Sequence, residues 1–320
     1  MRLAVAGLLA GGLLLSGCRP AHTPVPEDLL RSTDPIVPTS FQVVDVIESR
    51  RDAPWGPISS PAAVAVLPDA RFFLADSAKG IIHHFDRDGL YVGGLDGPSN
   101  LVPIDLVEHG LLLFVLDAAE RRVLRFTADG VFRDVFLDVR QLTRRNTIDP
   151  SAVAIDRDGR VAVADARNHE VLVTGPFLDL DVVVAEWGSF DGQVDTPVGV
   201  AFGLDGILYV ADRGNRRVQA FDRNGVFLLG TRSIDEIDPQ LIAPTGIACD
   251  RWGNVYVADT GGQHVVVFSP DLQVIARIGT DEFDDGRLRR PVDCAIGPDD
   301  RLYVADDQRK ALVVYKIVYP

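Results

Sequence analysis

Thr196-Pro197-Val198-Gly199-Val200-Ala201-Phe202, a turn at Asp205-Gly206, Ile207-Leu208-Tyr209-Val210-Ala211-Asp212, a loop through Arg213-Gly214-Asn215-Arg216, Arg217-Val218-Gln219-Ala220-Phe221-Asp222, a turn at Asn224-Gly225, then Val226-Phe227-Leu228-Leu229: this stretch decides the fold. It reads as four short strands, rich in β-branched and aromatic residues and separated by Gly, Asn and Asp turns. The same pattern returns along the chain. Phe73-Leu74-Ala75-Asp76, Val115-Leu116-Asp117, Val163-Ala164-Asp165, Val210-Ala211-Asp212, Val257-Ala258-Asp259 and Val304-Ala305-Asp306 place their aspartates 41, 48, 47, 47 and 47 residues apart. A proline opens each copy (Pro61, Pro103, Pro150, Pro197, Pro244, Pro291). Nine residues after each aspartate stand Phe85, Phe126, Thr174, Phe221, Phe268 and Tyr315. Four antiparallel strands in a repeat of about 45 residues make one blade of a β-propeller.

Six copies predict an all-β, six-bladed β-propeller over residues 41–320. The ends indicate how the ring closes. The last copy stops at Ile317-Val318-Tyr319-Pro320, one strand short. An orphan alternating run, Phe41-Gln42-Val43-Val44-Asp45-Val46-Ile47, precedes the first copy. Placing that run as the fourth strand of the last blade removes an exposed sheet edge.

The repeat resembles the NHL-repeat family, whose consensus runs through Pro-x-Gly-Val-Ala, Tyr-Val-Ala-Asp, Asn-x-Arg-Val and Phe-Asp-x-x-Gly. The fourth copy fits nearly throughout. The second and third depart from it, with Phe114 in place of Tyr and Thr174-Gly175-Pro176 in place of the Phe-Asp step.

Upstream, Arg2 precedes an apolar run at residues 3–15, shorter than the roughly 20 residues of a spanning helix but suited to a signal peptide. The run ends in Leu15-Ser16-Gly17-Cys18, which resembles the lipobox of bacterial lipoproteins. That resemblance implies removal of residues 1–17 and lipidation of Cys18, with a Pro-rich tether at 18–40 holding the propeller off a membrane. More than one lipid chain is needed for stable anchoring. Arg19 stands where that family has Asp for inner-membrane retention, so an outer-membrane site at the cell envelope is expected. The lipid would be the contact with the membrane.

The net charge of −14 and pI of about 4.8 speak against nucleic acid as a partner. Cys249 and Cys294 are too few for a disulfide framework and are expected as thiols. No Gly-x-Ser-x-Gly elbow, His-Glu-x-x-His or phosphate loop occurs.

Two places remain as candidate sites. The repeated aspartates, with Asn215 and Arg217, are read as structural, because Asp after a strand accepts N–H bonds in the turn that follows. The loops between second and third strands are basic, with Lys79, Arg121, Arg122, Arg167, Arg213, Arg216, Arg217, Arg309 and Lys310 opposed by Glu120, Glu170 and Asp307. Of these, Arg121, Arg167, Arg213, Arg216 and Arg309 are the candidate ligand-binding residues for an anionic partner. The second place is the channel mouth. Two residues after each opening proline stand Ala63, Asp105, Ala152, Gly199, Gly246 and Asp293. Small residues suit converging strands, so Asp105 and Asp293 are the departures. Together they could hold a hard divalent cation, calcium or magnesium, or share a proton as an acid/base pair. His83, His84, His109, His169 and His264 do not recur at one repeat position. Six-bladed relatives of this general shape include lyases and lactonases with a channel metal held by His or acids. The sequence is therefore expected to encode a binding or scaffolding module for an envelope protein, peptide or glycan. The alternative is a metal-dependent lyase or hydrolase working at the channel mouth.

Overall fold

Aspartate followed three residues later by glycine sets four of the turns between strands. Asp86, Asp156, Asp222 and Asp250 each accept two backbone N–H groups across their own turn, as when Asp222 takes those of Asn224 and Val226, both at 2.8 Å. Gly89, Gly159, Gly225 and Gly253 close these turns with φ between 78° and 85°, a conformation that costs glycine little. The computed structural model describes residues 36–50, 52–143, 147–203, 206–231, 241–281 and 285–320. Cys18, the tether up to residue 35, and Asp205 lie outside them.

Among the described residues, twenty-four strands form six antiparallel sheets of four, the six blades of the predicted propeller. The innermost strands are Pro61–Val66, Pro103–His109, Pro150–Ile155, Pro197–Phe202, Pro244–Cys249 and Pro291–Ile296. Each starts with a register shift beside its proline, which lacks the N–H for a regular ladder. Closure follows the predicted route. Ser40–Glu48 pairs with Ala311–Val318, from Ser40 opposite Val318 to Glu48 opposite Ala311, and becomes the fourth strand of the sixth blade.

The core is a set of slabs between neighbouring blades. Ala63, Phe73 and Leu95 of the first blade meet Leu106, Leu113 and Phe126 of the second. Phe72, Leu74 and Phe85 meet Tyr303, Leu312 and Ile47 across the closing seam. The aromatic residue nine positions after each aspartate fills such a slab: Phe85, Phe126, Phe221 and Phe268 are fully buried, each stabilising the fold by about 1.5–3 kcal/mol. Thr174, the exception, is buried too, and its hydroxyl accepts the Val161 N–H at 3.1 Å.

The six repeated aspartates are fully buried, and their role is wider than the following turn. Asp165 does cap that turn, accepting from Arg167 and Asn168. It also accepts the Asp149 N–H, in the segment entering the innermost strand of its own blade. Ser59 and Ser60 bond Asp76 in the same way, Val102 bonds Asp117, Asp195 bonds Asp212, Ile242 and Ala243 bond Asp259, and Arg289 and Arg290 bond Asp306. Each carboxylate thus ties two chain segments on one face, called here the upper face. The turns that follow the innermost strands lie on the lower face.

Candidate active site

All six innermost strands line one central channel, with a cavity of about 300 Å³. Where they converge, Gly199 and Gly246 leave no room for a side chain. A Cβ on Gly199 would lie 2.0 Å from the Thr245 carbonyl oxygen, and one on Gly246 2.2 Å from Asp293 Oδ1. The space left by Gly246 is the space Asp293 uses.

Asp105 and Asp293 sit at equivalent positions and reach the same way round the ring. Asp105 Oδ2 accepts the Val153 N–H of the third blade at 2.6 Å, and its Oδ1 accepts the Leu106 N–H at 2.8 Å. Asp293 Oδ2 accepts the Val64 N–H of the first blade at 2.9 Å. Burial in the channel wall pushes both carboxyls above the ordinary carboxylate range, Asp293 up to about 7, and for Asp105 the like charge of Asp293 adds to the effect. Two acids so linked titrate as a pair, which retains a proton far more readily than a solvated carboxylate. The channel also holds Cys249 and Cys294, both free thiols whose burial raises their pKa and keeps them protonated.

The donors present do not fit a dedicated metal site. A hard cation of the calcium type takes six to eight oxygen ligands, roughly, and several must be free to turn toward it. Here both Asp105 oxygens and one Asp293 oxygen already accept backbone N–H groups. Among the described residues no cluster of three or more His, Cys, Asp or Glu could hold a metal ion. No histidine among the described residues lines the channel. His169 Nδ1 accepts the Thr196 N–H at 2.9 Å beside Asp195, and His264 lies 4.0 Å from Asp259. His83 and His84 are buried in the first blade, away from the channel lining.

The basic loops divide. Arg309 donates to the Asp285 and Arg287 carbonyls and lies 3.5 Å from Glu48, so it buttresses the closing strand. Arg122 and Arg217 bond the buried Asp117 and Asp212. Arg167, Arg213 and Arg216 are exposed, Arg121 is half-buried, and none of the four side chains has an ion-pair partner among the described residues. The continuous positive ring expected from the sequence is therefore reduced to separate groups. Sequence reasoning did not single out Trp187 and Phe190, which stand exposed in the connection from the third blade to the fourth. Two aromatics in a Gly-rich stretch outside the repeat register were the available signal.

Residues 71–308 match the family described as "SMP-30/Gluconolactonase/LRE-like region". No curated protein matches the sequence. Among solved structures, virginiamycin B lyase from Staphylococcus aureus superposes with a TM-score of 0.66 at 10% identity, covering 87% of this chain and 100% of that one. A gluconolactonase from Xanthomonas campestris superposes with a TM-score of 0.66 at 18% identity, covering 91% and 99%. At these identities the likeness is one of fold. The family match overturns the expectation of a binding or scaffolding module, since the matching family is one of enzymes. The physical reason lies in the arginines: the ring that suggested a docking face is partly consumed inside the fold, while the channel holds buried acids.

Proposed function

The chain belongs to the SMP-30/gluconolactonase/LRE-like family, and from that premise we propose that it is a hydrolase or lyase opening a small cyclic ester inside the channel. One neighbour is named for lactone hydrolysis and another as a lyase, which supplies the reaction class. The observation that carries the reading is the buried, electrostatically linked Asp105–Asp293 pair on the channel wall. With one of the two holding a proton, the pair offers one ionised carboxylate and one neutral carboxyl on the channel wall. For hydrolysis, the carboxylate takes a proton from water as its oxygen bonds to the ester carbonyl carbon. The carboxyl gives its proton to the departing alkoxide as the C–O bond breaks, and the proton taken from water restores the pair. A lactone panel followed by pH-stat tests this. Asp105→Asn and Asp293→Asn should each lower kcat by about 10²–10⁴, and the wild-type profile should be bell-shaped. Absence of ring opening across the panel, or undiminished turnover in the double variant, would refute it.

The repeat pattern of NHL type is compatible with this family placement and describes how the blades are written in the sequence. The Leu15-Ser16-Gly17-Cys18 stretch and Arg19 support lipidation of Cys18 and an outer-membrane position at the envelope. The mass of the mature N-terminus tests this: a diacylated or triacylated Cys18 is expected, and cleavage elsewhere without lipid would rule it out.

A further inference from the structure

Each innermost strand has its second strand on one side and the channel on the other, and innermost strands of neighbouring blades form no ladder with one another. In an antiparallel ladder only every second residue pair exchanges hydrogen bonds. The turns fix which pairs these are. Leu67 N–H donates to the Arg71 carbonyl, Asp156 N–H to that of Arg160, Gly203 N–H to that of Ile207, Asp250 N–H to that of Asn254 and Gly297 N–H to that of Arg301. Two pairs further in, the bonded partners are Ala65 and Phe73, Ala154 and Ala162, Ala201 and Tyr209, Ala248 and Tyr256, and Ala295 and Tyr303. The next pairs are unbonded: Val64 with Leu74, Val153 with Val163, Val200 with Val210, Ile247 with Val257 and Cys294 with Val304. The N–H groups of Val64, Val153, Val200, Ile247 and Cys294 therefore turn from the second strand toward the channel.

With Leu106 of the second blade, these make one donor per blade at one level of the wall. Asp105 takes the Leu106 N–H of its own strand and the Val153 N–H of the next blade. Asp293 takes that of Cys294 in the first way and that of Val64 in the second. Four of the six donors thus meet carboxylate oxygens. Val200 of the fourth blade and Ile247 of the fifth remain, and no side chain among the described residues accepts their N–H groups. The reason lies one blade back, at the repeat position of the two acids, where Ala152 precedes Val200 and Gly199 precedes Ile247. Ala152 ends in a methyl group, and a Cβ on Gly199 would lie 2.0 Å from the Thr245 carbonyl oxygen. That close approach also brings the fourth and fifth innermost strands together at this level, so the two donors are neighbours. Val200 and Ile247 both line the cavity. Asp293 Oδ1 packs against Gly246, the residue before Ile247. Acid and donors share one stretch of wall.

We propose that the Val200 and Ile247 N–H groups hold the carbonyl oxygen of a neutral ligand in the channel, and that in ester hydrolysis they stabilise the oxyanion. The second half rests on the hydrolytic reading above; the first does not. A ligand carboxylate suits the place less, because it would set a third negative group beside Asp105 and Asp293. As the water oxygen bonds to the carbonyl carbon, the C=O electron pair moves onto the carbonyl oxygen, where the two donors meet the charge. The pair returns as the ring C–O bond breaks. Donors fixed in strands need no reorganisation at that moment.

Binding and reaction are tested separately. Cyclopentanone has the ring and carbonyl of a lactone but no C–O bond to break. Titrated into the isotope-labelled full chain, it should shift the Val200 and Ile247 amide protons saturably in magnetic resonance spectra. Those of Val64 and Val153, already bonded to carboxylates, should move much less. Unmoved Val200 and Ile247 amides, or equal shifts at Val64 and Val153, would overturn the site whatever the lactone panel shows. For the reaction, Val200 or Ile247 is replaced by its α-hydroxy acid, which sets an oxygen in place of the N–H and keeps the side chain. Each replacement should lower kcat by about 10²-fold or more and change KM less. No ladder bond is lost, so the circular dichroism spectrum should persist. Undiminished turnover by both replacements, with an active wild type, would remove the oxyanion role and leave the hydrolytic reading standing. A wild type that opens no lactone would remove both, and the cyclopentanone shifts would still decide the binding.

Discussion

Asp293 shows how much one residue's surroundings decide. At the same repeat position Ala63 and Ala152 are buried small residues, and Gly199 leaves free the space that the Thr245 carbonyl occupies. Asp293 fits because Gly246 beside it has no side chain, and because the Val64 N–H meets its carboxylate. Burial nevertheless favours the neutral form. With a folded pKa pushed up to about 7 and an unfolded value of about 3.9, the folded chain binds more protons between those limits, so stability falls as pH rises through them. Asp293→Asn removes this dependence and relieves Asp105 of a like charge, which acts in the same direction. The melting temperature of the variant should therefore gain on that of the wild type between about pH 4 and pH 8, whatever the offset from altered hydrogen bonding. Calorimetry across that range measures it, and a pH-independent gap would mean that Asp293 is ionised throughout.

At the scale of elements, the closing strand is where the two ends of the propeller are joined. Ser40–Glu48 alternates as a half-buried strand should, except where the register shifts between Val43 and Asp45. Val44, in that bulge, is half exposed, whereas Ile47 is buried against Leu312 and Phe85 in the seam between the sixth and first blades. The two positions should respond differently to truncation. Ile47→Ala should cost about 2–5 kcal/mol, and Val44→Ala less than about 0.5 kcal/mol, by urea denaturation. Equal losses would mean that the register across the seam differs from the one described. The connections between blades are elements of another kind. Residues 185–196 have almost no ladder, and their shape comes from a few backbone hydrogen bonds of their own, such as Val194 N–H to the Glu186 carbonyl, and from side chains of the fourth blade, Asn215, Arg217 and Gln219.

For the whole molecule, the ring converts six similar strands into one channel, and its chemistry depends on which residues six separate copies contribute there. Two acids stand on the wall, and their oxygens are largely satisfied by backbone N–H groups, two of them from neighbouring blades. Calcium or magnesium should therefore leave the melting temperature of the wild type where chelator leaves it. A rise that disappears in Asp105→Asn/Asp293→Asn would instead place a cation between the acids, because a ligand bound to the folded state stabilises it by mass action.

Repeat spacing, strand patterning and the orphan run at residues 41–47 determined the blade count, the strand order and the closure, because each depends on local periodicity and on pairing the last free edge. The structural nature of Asp212 and its five counterparts was legible for the same reason, since one active site has no use for six equal copies. The special place of Asp105 and Asp293 was legible as a departure from small residues. Their burial, their bonds to Val153 and Val64, and their mutual repulsion were not, because these depend on strands brought together from distant parts of the chain. The arginines make the same point. In sequence Arg213, Arg216 and Arg309 look alike, yet only the fold turns Arg309 onto the carbonyls of Asp285 and Arg287 and leaves the other two exposed. Periodicity carries the fold; the pairing of charged groups with distant backbone is decided by the tertiary structure alone.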